Sequence, residues 1–229
     1  MTKKDNAMIW IIMIAVMVLS FIVQRTLQSK FEKYSKVGLP SGLSGAEIAR
    51  KMLQDNGIHD VQVVSVEGQL TDHYNPQTKT VNLSREVYSG RNVAAAAVAA
   101  HECGHAVQHA TGYAPLRLRS ALVPVVSFAS NIVQWVLLAG VIFINIFPNL
   151  IWFGIALFAM TTLFSVITLP VEINASARAV GWLQHAGITD AQTRPKAIDA
   201  LKWAAYTYVI AAVGSIATLL YYISIANRR

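Results

Sequence analysis

The chain has 229 residues, of which 54% are hydrophobic and only 14% are charged, against about 25% charged residues in a typical soluble domain. The net charge is +7, but the basic residues lie between hydrophobic segments and form no patch interleaved with aromatic residues. This composition excludes an ordinary soluble domain, and membrane topology and anionic lipid headgroups explain the charge better than nucleic acid does. A single cysteine excludes an intrachain disulfide framework.

The N-terminal apolar run covers residues 7–23 and follows Lys3 and Lys4. It does not end in a small-x-small cleavage site, so we expect an uncleaved membrane anchor rather than a signal peptide. Residues 24–39 are polar and basic, which predicts a juxtamembrane segment that could continue the same helix.

The next part of the chain predicts a small α+β domain. A capping box at residues 44–47 begins a helix, which an Asn-Gly pair ends. Residues 61–66 and 79–83 predict two strands joined through a turn around residues 72–76. We expect the second strand either to complete a small sheet or to pair with an extended peptide by β-addition.

An Ala-rich run then predicts a helix that contains the motif His101-Glu102-Cys103-Gly104-His105. His101 and His105 lie one above the other on a helix and can present two imidazoles to one Zn²⁺ ion. Glu102 lies about 100° further round the helix, where it can reach a water without being a ligand. This pattern is typical of zinc hydrolases, and the alternative is a helix with two unconnected histidines. Cys103 lies off this stripe and is expected to be a small core residue.

Two long segments without charged residues or histidine follow, at residues 120–171 and 203–227. The first predicts a transmembrane hairpin, which Pro170 ends before a soluble helix over residues 171–183. The second predicts a fourth span, continuous with a helix that begins at Pro195. The predicted organisation is an anchor (1–23), a soluble α+β part with the zinc-binding helix (24–120), a transmembrane hairpin (121–169), a soluble helical segment (170–203) and a C-terminal transmembrane helix (204–229).

Charge predicts the orientation in the membrane. Residues 24–120 carry 11 and residues 170–203 carry 4 of the 19 Lys and Arg residues, and a hairpin places both segments on one side. The positive-inside rule makes that side cytoplasmic, which predicts a multi-pass plasma-membrane protein with its active site facing the cytoplasm. The charges at the two chain ends, Lys3, Lys4, Arg228 and Arg229, argue mildly against this orientation.

A catalytic zinc site usually takes three protein ligands, so a third ligand is needed beyond the motif. The H-E-x-x-H-x-x-G-x-x-H pattern is absent, because Gln108 and Thr111 occupy its later positions. His109 stays near the metal face, and we expect it to support the ligands or simply to pack.

Glu172 is the outstanding candidate for the third ligand. It directly follows the hairpin, which returns the chain to the side of the zinc helix. A carboxylate at the membrane surface is costly without a partner, so we expect it to have one. The alternative partner for Glu172 is Arg178.

Three blocks of sequence together resemble a known family. The blocks AAHECGHAVQHATGYAPLRLRSALVP, LTDHYNP with KTVNLSREVY, and LPVEINASARA resemble the bacterial YugP-type family of membrane zinc metallopeptidases and, more distantly, the HtpX-type membrane proteases. The resemblance covers nearly the whole chain from about residue 30. It implies one Zn²⁺ ion held by His101, His105 and Glu172 in a gluzincin-like site, with Glu102 as the general base on a zinc-bound water.

Two roles beside the ligands, the supporting hydrogen bond and the oxyanion donor, each have more than one candidate residue. The distant relatives have an aspartate four residues after the ligand glutamate, where this chain has Ser176, so Asn174 or Ser176 is expected to make the supporting hydrogen bond. The oxyanion also needs a donor, for which His73, Tyr74 and Arg178 are candidates by residue type. For His73 a structural role in a turn is equally expected.

The sequence therefore predicts a mainly α membrane protein with about four transmembrane helices and a small α+β, zincin-like soluble domain that holds the H-E-x-x-H helix. The expected function is that of a zinc metallopeptidase, an endopeptidase that hydrolyses peptide bonds at the membrane surface. A catalytically silent zinc-binding membrane scaffold is the alternative. The expected partners are a membrane-associated peptide or protein substrate and the lipid bilayer, without nucleic acid.

Overall fold

The computed structural model describes residues 3–227 of the chain, with side chains from residue 10 onward. The described part is mostly helical and contains a small sheet. Its elements in chain order are α1 (Lys3–Ser35), α2 (Gly45–Asp55), β1 (Gln62–Val66), β2 (His73–Asn75), β3 (Thr80–Ser84), α3 (Arg85–Ser89), α4 (Val93–Ala110), α5 (Ala114–Ile142), α6 (Pro148–His185) and α7 (Arg194–Ala226).

Four of the described helices, α1, α5, α6 and α7, are long and apolar enough to cross a membrane. A helix suits this task because it satisfies its own backbone hydrogen bonds where no water is present. The prediction of four membrane spans is confirmed by the length and the apolar composition of these helices. Arg228 and Arg229, two of the charges that oppose the predicted orientation, lie outside the described residues.

The chain divides into two compact units. The first, which we call the site unit, comprises residues 23–117 and 170–206, and it contains the sheet with α2, α3 and α4. The second comprises residues up to 22, residues 118–169 and residues from 207. Large apolar side chains of this second unit are exposed, with Phe128 at 64% and Trp135 at 68%, as a lipid-facing surface requires.

The sheet corrects two sequence predictions. Its strand order is β1-β3-β2, with β1 parallel and β2 antiparallel to β3. The turn predicted around residues 72–76 is wrong, because residues 73–75 form β2. A polar His-Tyr-Asn run before a proline favours a turn locally, but pairing with the buried β3 overrides that preference. Of the two alternatives for the strand of residues 79–83, completion of a small sheet is confirmed and β-addition is wrong, because β3 is the central strand and already has a partner on each side.

α6 corrects a third prediction. It runs without interruption through Pro170, so the expected end of the hairpin at this residue is wrong. A proline removes one helical hydrogen bond and often breaks a helix, but long membrane helices tolerate it where neighbouring groups satisfy the freed carbonyl. Glu172 therefore lies on the same helix as the third candidate span.

The core of the site unit surrounds α4. The predicted capping box of Ser44 and Glu47 is confirmed at the start of α2, and Asn92 caps α4 by accepting a hydrogen bond from the Ala95 amide. Seven of the eight alanines of α4 are almost completely buried, and only Ala110 at its C-terminal end is exposed. Their small side chains let the neighbouring elements approach the backbone of α4 closely, which suits a helix that is covered on most sides.

Candidate active site

Gly104 allows α6 to approach the motif on α4. A Cβ atom at this position would lie 2.6 Å from the carbonyl oxygen and 3.1 Å from the Cα atom of Ala175. Real Cβ atoms do not come so close to backbone atoms, so any larger residue would push the two helices apart. The glycine inside the motif therefore allows the segment that carries Glu172 to reach the two histidines.

His101, His105 and Glu172 meet at one point. The Oε2 atom of Glu172 lies 3.2 Å from Nε2 of His101 and 3.6 Å from Nε2 of His105. The candidate ligand atoms of the three residues all lie within 4.8 Å of one another. Glu172 is only 3% exposed and His105 7% exposed, so the cluster is largely removed from solvent.

The donor set of this cluster fits a zinc ion. Two imidazole nitrogens and one carboxylate oxygen form a known ligand set of catalytic zinc, and ligands about 2.1 Å from a tetrahedral ion lie about 3.4 Å apart. The two distances from Glu172 lie on either side of that value. A carboxylate that is buried this deeply also requires positive partners, which a metal ion would provide.

The charge on His105 depends on its neighbours. Burial alone would lower its pKa, but the hydrogen bond to Glu172 and the negative charges of Glu102 and Glu172 outweigh this effect. The pKa of His105 is therefore raised above its ordinary value. A metal ion at this site has to compete with that proton.

Glu102 is held by the sheet. It is 8% exposed, and its Oε2 atom accepts a hydrogen bond of 3.0 Å from the backbone amide of Tyr74 in β2. The sequence pointed to the side chain of Tyr74, whereas the contact with Glu102 comes from its main chain. The hydroxyl of Tyr74 instead lies 2.7 Å from Nδ1 of His109, and burial raises the pKa of this hydroxyl. His109 thus lies beside Tyr74 on an exposed part of α4.

Of the remaining candidate residues, one contacts a histidine of the cluster, two contact each other, and one is exposed at the start of β2. Oγ of Ser176 lies 3.1 Å from Nδ1 of His101. Arg178, the alternative partner of Glu172, donates its Nε hydrogen to Oδ1 of Asn174 at 2.8 Å. His73 is exposed, and its Nδ1 lies 2.7 Å from the carbonyl of Thr71 in the loop before β2.

Cys103 is a core residue, as predicted. It is completely buried, and its Sγ atom lies 3.5 Å from the carbonyl oxygen of Ala49 in α2. Burial, with a smaller contribution from the charge of Glu102, raises the pKa of the thiol far above its usual range. Cys103 is therefore a neutral packing residue and does not belong to the His101–His105–Glu172 cluster.

Sequence reasoning missed two residues that support the site. Gln108 is completely buried and bonds to His105, and its position three residues after His105 on the same helix face is the signal that could have revealed it. Asp72 accepts hydrogen bonds from the amide and hydroxyl of Ser84 and so fixes the chain that enters β2. Burial raises the pKa of Asp72, and the charge of Glu102 adds to this effect against the opposing hydrogen bonds from Ser84.

Four candidate membrane spans, together with two histidines and a glutamate that converge from α4 and α6, define a class of integral membrane proteins with the donor set of a zinc peptidase. Residues 9–227 match the family described as "Putative neutral zinc metallopeptidase", and the chain belongs to this family. It is 45% identical over 212 residues to "Putative membrane protease YugP" of Bacillus subtilis (strain 168), which covers 93% of each chain. No solved structure matches the chain. The family resemblance in the sequence is thereby confirmed.

Proposed function

We propose that the protein is a zinc endopeptidase that is embedded in the membrane by four helices and hydrolyses peptide bonds at the membrane surface. The observation that carries this proposal is the convergence of His101, His105 and Glu172 beside Glu102. In this zincin-like arrangement the first three residues would hold one Zn²⁺ ion, and Glu102 would be the general base. The family and the membrane protease from B. subtilis support the assignment.

Each residue of the site has a defined part in the proposed hydrolysis. Zinc held by the three ligands would supply an electrophile that acidifies water and polarises the scissile carbonyl. The Oε2 atom of Glu102 accepts a hydrogen bond from the Tyr74 amide, which orients the carboxylate that would take a proton from the attacking water. As the new C–O bond forms and the C–N bond breaks, Glu102 delivers this proton to the departing amine.

The surroundings of Glu102 indicate where a peptide would bind. β2 is an edge strand of the sheet, and one of its amides touches the proposed base. We propose that a membrane-associated protein or peptide lies in extended form along β2, because this edge strand holds the proposed base through the amide of Tyr74.

The proposed orientation places the site unit on the cytoplasmic side of the plasma membrane, since the segments of this unit hold most of the basic residues. The division into an anchor, two soluble segments and three further spans is proposed on the same charge pattern. α4 is not among the candidate spans, which favours catalysis at the membrane surface over catalysis within the bilayer.

Two substitutions test the proposed function. Glu102→Gln should keep the zinc content but lower peptide cleavage by about 10²–10⁴-fold, because it removes only the base. Glu172→Ala should lose both zinc and cleavage. Metal content and cleavage are measured on purified protein, with Glu67→Gln at an exposed site as the control.

The outcomes separate the competing assignments. Wild-type zinc content in Glu172→Ala would show that Glu172 is not a ligand. A protein that binds zinc but cleaves no member of a peptide library, with no difference between wild type and Glu102→Gln, would instead be a catalytically silent zinc-binding scaffold.

A further inference from the structure

Gln108 is a buried amide with all of its hydrogen-bonding atoms engaged. It is 0% exposed and lies one helical turn after His105 on α4. Its Nε2 atom donates to the carbonyl oxygen of Val171 at 2.8 Å and to Oδ1 of Asn174 at 3.0 Å. Its Oε1 atom lies 3.1 Å from Nδ1 of His105. A single side chain thus connects a histidine of the site with the segment of α6 that carries Glu172.

Two groups of fixed polarity determine the direction of every bond in this network. The carbonyl of Val171 can only accept a hydrogen bond, so the Gln108 atom beside it must be the amide nitrogen. The Nε atom of Arg178 can only donate, so the Asn174 atom beside it must be the oxygen, which again requires the nitrogen of Gln108. The oxygen of Gln108 therefore faces His105 and requires a proton on Nδ1 of that ring.

The proton on Nδ1 determines what the other nitrogen of His105 can do. When the ring is neutral, a proton on Nδ1 leaves the lone pair on Nε2, the atom that faces Glu172. His101 has no equivalent constraint from Ser176, because a hydroxyl can either donate or accept a hydrogen bond. The network thus acts on one of the two histidines specifically.

We propose that Gln108 is a positioning residue that holds His105 in the tautomer that binds metal through Nε2 and links α4 to the segment of Glu172. This inference rests on the proposed zinc site. Residues that orient metal-bound histidines in this way typically contribute about 10–100-fold to metal affinity. Gln108 would make this contribution without touching the metal or the substrate.

The test compares zinc affinity in three variants by competition with a chelator on folded, detergent-solubilised protein. Gln108→Met has a similar shape but no acceptor for His105, and it should bind zinc about 10–100-fold more weakly. Gln108→Glu keeps an oxygen acceptor beside Nδ1 of His105 but loses the donor to Val171 and Asn174, so it should bind zinc more tightly than Gln108→Met and more weakly than the wild type. Gln184→Met, at an exposed position of α6, should bind zinc like the wild type.

The absorption spectrum of the Co²⁺-substituted protein provides a second measurement, since altered ligation by His105 should shift the d–d bands in Gln108→Met and not in Gln184→Met. Unchanged zinc affinity in Gln108→Met would overturn the proposal. If Gln108→Met does not fold, NMR of the 15N-histidine-labelled, metal-free wild type decides the question at a pH where the His105 ring is neutral, because a proton on Nε2 instead of Nδ1 would contradict the acceptor role. Wild-type zinc affinity in His105→Ala would instead show that the proposed zinc site itself is wrong.

Discussion

The two helices that carry the candidate zinc ligands, α4 and α6, are built in opposite ways. α4 has 18 residues, lies entirely within the site unit and contains seven buried alanines. α6 has 38 residues, and only its part from Pro170 onward belongs to the site unit. Its earlier part exposes Trp152 and Phe153, as a lipid-facing helix does.

This difference shows that one part of the site depends on the geometry of a single helix and another on a contact between two helices. The relative position of His101 and His105 follows from helix geometry alone, because four residues make about one turn. The position of Glu172 follows from a tertiary contact, the close approach of α6 to α4 at Gly104. The histidine pair should therefore survive changes that displace Glu172, and each of the following predictions tests that difference.

The largest effect in this comparison is expected for Gly104→Ala. The added methyl would lie 2.6 Å from the carbonyl oxygen of Ala175, so the helices must separate at a cost of about 1–3 kcal/mol of unfolding free energy. Zinc affinity should fall as well, because Glu172 moves with α6. Thermal unfolding and chelator competition measure the two effects.

Gly181→Ala is the matched control for this substitution. Gly181 lies inside α6, and a Cβ atom there meets nothing within 4 Å. The change should stabilise the protein by about 0.5–1 kcal/mol, because alanine favours a helix more than glycine does. A destabilisation of equal size in both variants would show that Gly104 has no special role in helix approach.

A smaller effect is expected from pH, through the raised pKa of His105. In the metal-free protein the protonated histidine adds stability, which is complete below the ordinary pKa of the unfolded chain and is lost as the pH rises through the raised pKa. Zinc binding must release this proton, so zinc affinity should fall as the pH falls, by up to about tenfold per pH unit.

This pH dependence is measured by chelator competition at a series of pH values. Glu102→Gln keeps the three proposed ligands but removes one of the negative charges that raise the pKa of His105, so it should shift the dependence to lower pH. A zinc affinity that is constant across the pH range of histidine titration would contradict the assignment of His105 as a ligand.

The same contrast between local and distant structure explains what the sequence could predict. The capping box of α2, the helix of the motif and the four spans are local patterns, and each appears in the structure. β2 could not be predicted in this way, because its three polar residues become a strand only by pairing with β3. Pro170 also misled the prediction, since a proline usually signals a break whereas α6 continues through it.

Within the site, the proximity of Glu172 to the histidines could be expected from chain topology, since a hairpin returns the chain to the side from which it started. The contact of the Tyr74 amide with Glu102 could not, because main-chain donors leave no signal in a side-chain pattern. The network of Gln108 depends on two groups of α6 that no spacing rule connects to α4.

The smallest effect is expected at Cys103, which lies on α4 but away from the candidate ligands. Its thiol is completely buried, and burial raises its pKa, so very little of the reactive thiolate forms. Cys103→Ala should cost about 1 kcal/mol or less and leave zinc content unchanged. Maleimide reagents should not label the folded wild type, whereas labelling as fast as in unfolded protein would contradict the burial of this residue.

Because maleimide should not label the native Cys103, a cysteine introduced by Gln77→Cys can report the side of the membrane on which the site unit lies. Gln77 lies in the exposed turn between β2 and β3. With the site unit in the cytoplasm, a membrane-impermeant maleimide should label this variant only after the cells are permeabilised. Labelling in intact cells would reverse the orientation proposed from the basic residues. It would leave the contrast between α4 and α6 unchanged, because the contacts between these helices do not depend on the side of the membrane.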